Sequence, residues 1–237
     1  MRAVDVLDSA IVRNAAPEDL GRLLIGHRFE EPRRHGKWLV CPGAGPTLLF
    51  HFGMTGDLVW SGDEPDRHRH DRLVLLFDEG ELRYRNMRRL GGVWLAGDDD
   101  ELKVVLGSLG PDALGVERDE FLGSLSRRRG GVKALLMNQR LVAGIGNIVA
   151  DEILWQARIH PRRRLEHLDA HDRVRLFRTM RRVLGVAVKD FDYLETRRRW
   201  LSPVRGRPGA RCPRCRSELS RVVVAGRTTY FCPSCQR

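Results

Sequence analysis

Four of the five cysteines in this 237-residue sequence form two C-x-x-C pairs near its C-terminus, with sixteen residues between the pairs. The intervening segment RVVVAGRTTYF predicts two strands around a turn at Ala225-Gly226. Two such pairs supply the four thiolates that tetrahedral zinc prefers, whereas a redox dithiol would not need the second pair. We therefore predict a β-hairpin held by one structural Zn²⁺ ion, with the ligands Cys212, Cys215, Cys232 and Cys235.

Short apolar or alternating runs dominate the first half of the chain. They are KWLVC, TLLFHF, DLVW, RLVLLF, ELRY and GVWLA, and clusters of Gly, Pro and Asp separate them. Residues 78–80 (DEG) predict a hairpin turn. Many short strands without helices between them predict a β-sandwich or barrel over residues 1–106, with one short helix at 17–24. The fifth cysteine, Cys41, follows the apolar WLV and is expected to be buried.

Helical patterns follow a stretch rich in Gly and Pro at residues 106–117, which predicts a domain boundary. We expect a helical domain at 117–203 and the zinc finger at 204–237, and therefore an α+β fold class. In one long helix the predicted apolar face comprises Val174, Phe177, Leu184 and Val188.

The balance of charges indicates the kind of partner. The formal net charge is +11 and the sequence pI is near 10.3, which favours a polyanion because each phosphate contact releases counterions. A compositional bias explains why the basic residues are mostly arginine, but it does not explain the positive surplus. No apolar run is long enough to cross a membrane, and the opening MRAVDVLDSAIVRN has no apolar signal core, so we expect neither membrane attachment nor secretion.

The segment AGIGN, with Gly144, Gly146 and Asn147, precedes an apolar helical pattern. Unpaired N–H groups at a helix start can hold a phosphate, and glycines let it approach closely. Asn147 could donate its amide to that phosphate or cap the helix. The alternative is a tight turn between helices in which the glycines serve only the chain's shape. The sequence leaves both interpretations open.

The longer segment LVAGIGNIVADEILWQARIHP resembles the helix–two-turn–helix of the formamidopyrimidine-DNA glycosylase / endonuclease VIII family. GKWLV, HFGMTG, RHD, RRLGGVWL, LGPDAL and the cysteine pairs occur in the family's order, from about Ala10 onward. The resemblance implies an N-terminal β-sandwich and a DNA glycosylase with AP-lyase activity in base excision repair. Such an enzyme flips out and excises damaged bases and cleaves at abasic sites. We expect a monomer that acts on damaged double-stranded DNA, in the cytoplasm of a bacterium and associated with the nucleoid.

The resemblance also implies roles for single residues. Lys37 matches a catalytic lysine that contacts the phosphate beside the lesion and assists β-elimination. Arg227 matches the zinc-finger arginine that grips phosphate and serves δ-elimination. A transcription factor with a zinc ribbon is a weaker interpretation, because it gives no reason for the wedge residues described next.

Three residues match side chains that enter the DNA. Met54 matches the residue that fills the gap left by an everted base, and Arg88 the arginine that pairs with the orphaned base. Leu90 stands where a wedge phenylalanine is common, so we expect wedging with weaker stacking. The remaining implied DNA contacts are His70, Arg128 and Asn147.

One departure from the family concerns the nucleophile. The family uses an N-terminal proline amine and the following glutamate, but this sequence starts with MRAVDV, inside the expected first strand. Arg2 is no substitute for proline, and Asp5 and Asp8 are expected to be turn or surface residues. We therefore expect the chain as given to bind abasic DNA and to excise bases poorly. The alternative function is a non-catalytic binder of damaged or abasic DNA.

A second departure lies between residues 191 and 212. The family's lesion-capping loop is Gly-rich and aromatic there, whereas this sequence has the shorter, Arg-rich DYLETRRRWLSPVRGRPGAR. Specificity for oxidised purines is therefore not implied, and an oxidised pyrimidine or an uncharacterised lesion is an equal candidate.

Overall fold

The computed structural model describes residues 1–62, 67–190 and 196–237. It contains two compact units, Met1–Ser108 and Leu109–Arg237. The division falls inside the stretch rich in Gly and Pro at 106–117, and the further separation of a zinc-finger domain at 204–237 stays a prediction. In the described ranges, no helix combines the length and the apolar character that a membrane crossing requires.

The first unit is a sandwich of two antiparallel four-stranded sheets, as predicted. One sheet has the strand order β1-β6-β7-β5 and the other β2-β3-β4-β8. The strands are β1 Ala3–Val6, β2 Arg33–His35, β3 Trp38–Cys41, β4 Thr47–His51, β5 Gly56–Ser61, β6 Asp71–Phe77, β7 Gly80–Asn86 and β8 Gly92–Ala96. Helix α1 is Pro17–Leu24 and helix α2 is Asp99–Leu106.

Alternation along the strands builds the core of this unit. Phe50 of β4 and Leu73 of β6 come from different sheets and belong to one buried cluster, which Leu20 of α1 completes. Leu49 points to the other side of its sheet and packs in a second cluster that includes Leu102 of α2. Strand β4 is thus buried on both faces, which explains its continuous apolar run. Cys41 is buried, as predicted, and burial raises the pKa of its thiol to about 11.

The second unit is helical, with one hairpin. Its helices are α3 Arg118–Ser126, α4 Val132–Leu136, α5 Asn147–Gln156 and α6 Ala170–Lys189, and its strands are β9 Ser220–Val224 and β10 Arg227–Phe231. Residues of all four helices share one core, among them Phe121, Leu136, Ile153, Leu154 and Met180.

The predicted apolar face of α6 was partly wrong. Leu184 is buried, but Val188 is 62% exposed, and Val174 and Phe177 are half-buried. The residues that face the core are Leu176, Thr179, Met180, Val183 and Leu184. The core cluster extends along the helix only as far as Leu184, so the last turn of the helix has no core to pack against.

Candidate nucleic-acid interface and zinc centre

The four predicted zinc ligands converge. Their sulfur atoms all lie within 4.8 Å of one another, with 3.9 Å between Cys212 and Cys235 and 3.4 Å between Cys215 and Cys232. A Zn–S bond of about 2.3 Å in a tetrahedron requires sulfur–sulfur separations of about 3.8 Å. The cluster therefore fits one Zn²⁺ ion, and four thiolates leave no open coordination position, so the ion is structural.

Trp155, near the end of α5, connects the zinc centre to the helical core. Its indole Nε1 donates a hydrogen bond to the Cys212 Sγ atom at 3.4 Å, and Leu201 packs beside both residues. A donor aimed at a thiolate supports its negative charge and fixes its orientation. The zinc hairpin is thus attached at the end that carries the cysteines.

The hairpin continues from the cysteines to an exposed tip. Five residue pairs join β9 to β10, and the turn residues Ala225 and Gly226 have φ angles of 49° and 70°. Two successive left-handed residues match the type I′ turn, whose twist suits a two-residue hairpin. Arg227 begins β10 directly after this turn and is exposed, so its guanidinium is displayed at the tip.

Asn147 is the first residue of α5, and the N-cap position is occupied by Gly146. Its side chain makes no capping bond; instead Nδ2 donates to the backbone oxygen of Thr228, in β10, at 3.0 Å. The capping alternative for Asn147 is therefore not what the structure shows. Its amide ties the bare start of the helix to the zinc hairpin.

The glycine turn before α5 is fixed by Gln139, which the sequence analysis did not identify. The Gln139 Oε1 atom accepts from the N–H of Gly144 at 3.0 Å, and Nε2 donates to the backbone oxygen of Ile145 at 3.0 Å. Gly144 has a φ of 109°, a conformation open chiefly to glycine. The AGIGN backbone is therefore held before any ligand arrives.

A buried ionic network fastens the hairpin strand β10 to α4 and α5. Lys133 Nζ lies 2.6 Å from Asp151 Oδ1 and donates to Thr229 Oγ1 at 2.6 Å. Asp151 Oδ2 lies 2.8 Å from Arg205 Nε and accepts from the N–H of Tyr230 at 3.2 Å. The side chains of Lys133 and Asp151 are 0% exposed, so removing either partner would leave the other charge buried and unpaired.

The same network reaches the two predicted phosphate contacts of this unit. Arg205 Nη2 donates to the Thr228 oxygen at 2.9 Å, so that oxygen accepts from both Arg205 and Asn147. Thr228 directly follows Arg227 in the chain. Burial lowers the pKa of Lys133, and the charge and hydrogen bond of Asp151 oppose that lowering. The sequence analysis missed this network, although charges inside the apolar runs VKALL and VADEILW were a signal.

In the first unit, the structure brings the predicted wedge residues together on two neighbouring loops. Arg88 Nη1 lies 3.4 Å from the Met54 sulfur, and the side chains of Met54 and Leu90 are 71% and 54% exposed. Gly53, with a φ of 62°, is so close to the second loop that a Cβ atom there would lie 2.6 Å from the Leu90 carbonyl carbon. The loops therefore touch backbone to backbone.

Asn86, at the end of β7, holds these two loops. It is fully buried, and its Oδ1 atom accepts from the Arg89 N–H at 2.9 Å and from the Thr55 hydroxyl at 3.2 Å. Its Nδ2 atom donates to the Tyr84 hydroxyl at 2.7 Å and to the Phe52 oxygen at 3.4 Å. All the hydrogen-bonding positions of a side-chain amide are thus used between the loops.

Two further residues fix the second loop. Arg13 Nη2 donates to the backbone oxygens of Arg89 and Gly91 at 2.9 and 2.6 Å. Asp8 Oδ2 lies 2.7 Å from Arg89 Nε, and Asp8 also caps the short 3-10 helix Ser9–Ile11. The sequence analysis missed Arg13, whose partners are 76 and 78 positions away, and Asn86, which reaches Thr55 and Phe52 at 31 and 34 positions.

Lys37 lies in the tight turn between β2 and β3 and is exposed. With Trp38 and His51, among other residues, it lines a largely apolar cavity of about 360 Å³. Burial and the Lys37 charge lower the pKa of His51, so its environment favours the neutral imidazole.

The last two predicted contacts lie in different units. In the first unit, burial and the nearby arginines lower the pKa of His70, whose backbone oxygen accepts from the Asn86 N–H at 2.9 Å. Arg128, in the second unit, is exposed in the loop after α3.

A zinc-stapled hairpin on a helical unit, together with paired loops on a β-sandwich, defines a DNA-binding protein of the helix–two-turn–helix class. Three family models match the chain: the formamidopyrimidine-DNA glycosylase N-terminal domain at residues 1–93, its H2TH domain at 109–197, and the zinc finger found in FPG and IleRS at 209–237. The chain belongs to the formamidopyrimidine-DNA glycosylase family of base-excision repair glycosylases, as the resemblance implied.

Individual relatives agree over nearly the whole chain. The formamidopyrimidine-DNA glycosylase of Nocardioides sp. is 38% identical, over 98% of this chain and 86% of the relative. That of Thermomicrobium roseum is 36% identical, over 95% and 90%. Among solved structures, the Lactococcus lactis enzyme bound non-covalently to DNA containing an AP site has a TM-score of 0.86 at 30% identity, covering 99% of this chain and 91% of the other.

The segment predicted to cap the lesion falls partly outside the described residues, because 191–195 are not described. The following part contains a short 3-10 helix, Ser202–Val204, which leads to Arg205 of the ionic network. The choice between oxidised purines and pyrimidines therefore stays open.

Proposed function

We propose that this chain acts as a monomer on damaged or abasic positions in double-stranded DNA, as a glycosylase and AP lyase, and the poor base excision expected from its sequence stays a prediction. We also propose that it is associated with the bacterial nucleoid. Solved relatives from Lactococcus lactis are described as bound to DNA with an AP site and to DNA with FAPY-dG, at 30% and 29% identity. The net charge of +11 supports a polyanionic partner.

The contact between Met54 and Arg88, with Leu90 on the adjoining loop, is the observation that carries this proposal. An enzyme that everts a nucleotide must fill the vacated space and satisfy the orphaned base. Met54 and Leu90 supply exposed apolar side chains, and Arg88 supplies donors between them. Exposed apolar side chains grouped on one surface are typical of an interaction site, and these two are suited to insertion into a base stack.

In the second unit, we assign Asn147 and Arg227 to the DNA backbone. The Asn147 amide has two N–H bonds, and one of them is directed to Thr228. The second, together with the N–H groups at the start of α5, can donate to a phosphate oxygen. Arg227 adds a fully charged donor at the hairpin tip.

Lys37 is assigned to the phosphate beside the lesion, where its ammonium group offsets the charge of the departing phosphate during β-elimination. A lyase also needs an amine that attacks the sugar C1′ and forms an imine. The Met1 amine donates to the His27 backbone oxygen at 3.0 Å. Lys37 and Met1 are therefore both candidate nucleophiles, and an experiment must distinguish their amines from each other and from those of other residues.

Borohydride trapping on a duplex with one abasic site tests the proposal, because borohydride reduces the imine to a stable amine that links the protein to the DNA. We compare the chain with Lys37→Ala, which removes charge and amine, and with Lys37→Arg, which keeps the charge. If Lys37 contacts phosphate, the arginine variant retains binding and strand cleavage while the alanine variant loses both. Loss of trapping in both variants would instead make Lys37 the nucleophile.

A direct binding measurement on the same duplex completes the test. Selective binding to the abasic duplex without trapping in any variant would contradict imine-forming lyase activity for this chain, and failure to release a damaged base from a lesion-containing duplex as well would favour the non-catalytic binder. Binding without preference for abasic over intact DNA would contradict the assignment of Met54, Arg88 and Leu90.

A further inference from the structure

Helix α6 carries a stripe of three arginines that a histidine extends by one turn. His171, Arg175, Arg178 and Arg182 recur at intervals of four, three and four residues, which places them along one side of the helix. At a rise of about 1.5 Å per residue the stripe is about 16 Å long. It lines a cavity of about 430 Å³ whose apolar part includes Val174. No residue of this stripe is among the predicted DNA contacts.

A second cavity of about 360 Å³ continues the first, because Gln156 and Arg182 line both. Its other walls include Arg199, Trp200 and Arg214. We call the two cavities together, from His171 to Arg214, the arginine groove.

The positive charge of the arginine groove is only slightly compensated. In the parts of the chain that the structure describes, Asp172 pairs with Arg175, but Arg178, Arg199 and Arg214 have no carboxylate partner. Guanidinium groups collected in a concave surface raise the local concentration of anions and bind carboxylates with paired hydrogen bonds.

The arginine groove lies at the opposite end of α5 from the proposed phosphate contacts. Asn147 is the first residue of this helix and Gln156 the last, a distance of about 13 Å along the axis. The tip of the zinc hairpin is near the start of this helix and its cysteines are near the end, because Thr228 contacts Asn147 and Cys212 contacts Trp155. The groove is therefore at the zinc end of the unit, away from the hairpin tip.

We propose that the arginine groove is a docking site for an acidic peptide segment of a partner protein, with an apolar residue among its carboxylates. Charge complementarity selects an acidic occupant, and the Val174 and Trp200 surfaces accept the apolar residue. Single-stranded nucleic acid is less well matched, because stacking of successive bases needs several open aromatic rings, and of the two tryptophans that line the groove only Trp200 is partly exposed. The Trp155 ring is 4% exposed and lies under the Arg214 guanidinium at 4.3 Å.

The experiment uses the zinc-loaded full chain and a fluorescent ten-residue peptide of Asp and Glu with one Phe, measured by fluorescence anisotropy. Binding to the chain is expected, and Arg178→Glu with Arg182→Glu is expected to weaken it by about tenfold or more. The matched control is Arg118→Glu with Arg207→Glu, which makes the same change of charge at exposed positions outside the groove. The control is expected to change the affinity by less than about threefold.

Two further measurements distinguish an acidic peptide from nucleic acid as the occupant of the groove. A peptide with Asn and Gln in place of the acids should not bind, and a saturating abasic duplex should leave the acidic peptide bound. Displacement by the duplex, or tighter binding of oligothymidine with the same dependence on Arg178 and Arg182, would assign the groove to nucleic acid and overturn the proposal. Absence of peptide binding, or equal loss in both charge-reversal variants, would also overturn it. None of these outcomes depends on glycosylase activity.

Discussion

In the sandwich unit, the loops that display Met54 and Arg88 are held by a neutral amide, Asn86, through three hydrogen bonds, and a fourth ties it to Tyr84 of its own strand. In the helical unit, the strand that begins with Arg227 is held by two buried charged residues, Lys133 and Asp151, and by the zinc site. Removing a buried neutral amide leaves its hydrogen-bond partners unsatisfied, at about 1–3 kcal/mol, whereas removing one partner of a buried ion pair costs about 3–5 kcal/mol. The two units should therefore respond very differently to single substitutions.

The largest effect is expected from loss of zinc. Cys212→Ala removes a ligand, and because metal binding is coupled to folding of such a hairpin, the hairpin should melt and DNA affinity should fall by about a hundredfold or more. Zinc content and DNA affinity are measured together. Cys41→Ala, in the sandwich core, is the control and should retain both. Unchanged DNA binding by a zinc-free Cys212→Ala chain would show that the hairpin does not hold DNA.

The next effect concerns the ionic network. Asp151→Ala leaves Lys133 buried without its partner, which should cost about 3–5 kcal/mol in the free energy of unfolding. Replacing both, as Lys133→Met with Asp151→Leu, should recover only part of that stability, because Arg205 keeps its charge and has lost its carboxylate partner. DNA affinity should stay low, since β10 has lost its hydrogen bonds to Lys133 and Asp151. Recovery of both properties in the double variant would reduce the network to a purely structural role.

Loss of the neutral Asn86 amide should reduce the free energy of unfolding by a smaller amount. Asn86→Ala leaves several loop groups unsatisfied and should cost about 1–3 kcal/mol, with reduced preference for abasic over intact DNA and unchanged zinc content. Asn14→Ala is the matched control, because the Asn14 amide also binds backbone atoms of the same unit, at Leu95. An equal loss of preference in the control would show that Asn86 does not position the loops.

Asn147→Ala should weaken binding to damaged and undamaged DNA alike, by about tenfold, since phosphate contacts do not read the base. Affinity measured at several salt concentrations checks whether the expected phosphate contact is lost. Gly146 occupies the N-cap position, so the melting temperature should change little. A large drop in melting temperature with intact affinity would restore the structural interpretation of this residue.

The smallest effect is a dependence of stability on pH. Hydrogen bonds from its own backbone N–H and from that of Gly130, together with Arg164, lower the pKa of Glu166 from 4.5 to about 2. A lowered carboxyl pKa means stability that is present above pH 4.5 and is lost as the pH falls towards 2. Glu166→Gln should therefore be slightly less stable near neutral pH, and the difference should vanish by about pH 2 in thermal melts.

Local signals were sufficient for much of this molecule. Helix α1 has the predicted bounds because proline is favoured in its first turn and leucines recur on one face. The zinc ligands follow from a spacing that tetrahedral chemistry restricts. Asn86 and the partners of Asp151 could not be found in this way. Arg205 lies 54 residues from Asp151 in sequence, so their contact exists only once the fold brings α5 and the linker together. The exposed end of α6 was mispredicted because periodicity alone does not show where a core ends.

Because Asn147 and Arg205 both donate to the Thr228 oxygen, the position of the hairpin depends on residues outside it. A zinc hairpin held only by its cysteines could be transferred between proteins as a self-contained cassette. Here the hairpin is fastened through Asn147 and Asp151 on one helix, Lys133 on another and Arg205 in the linker. A chimera that imports the hairpin without these four residues would fold its zinc site and still present Arg227 in the wrong place. To keep the proposed phosphate contacts, a chimera would therefore have to import the whole helical unit.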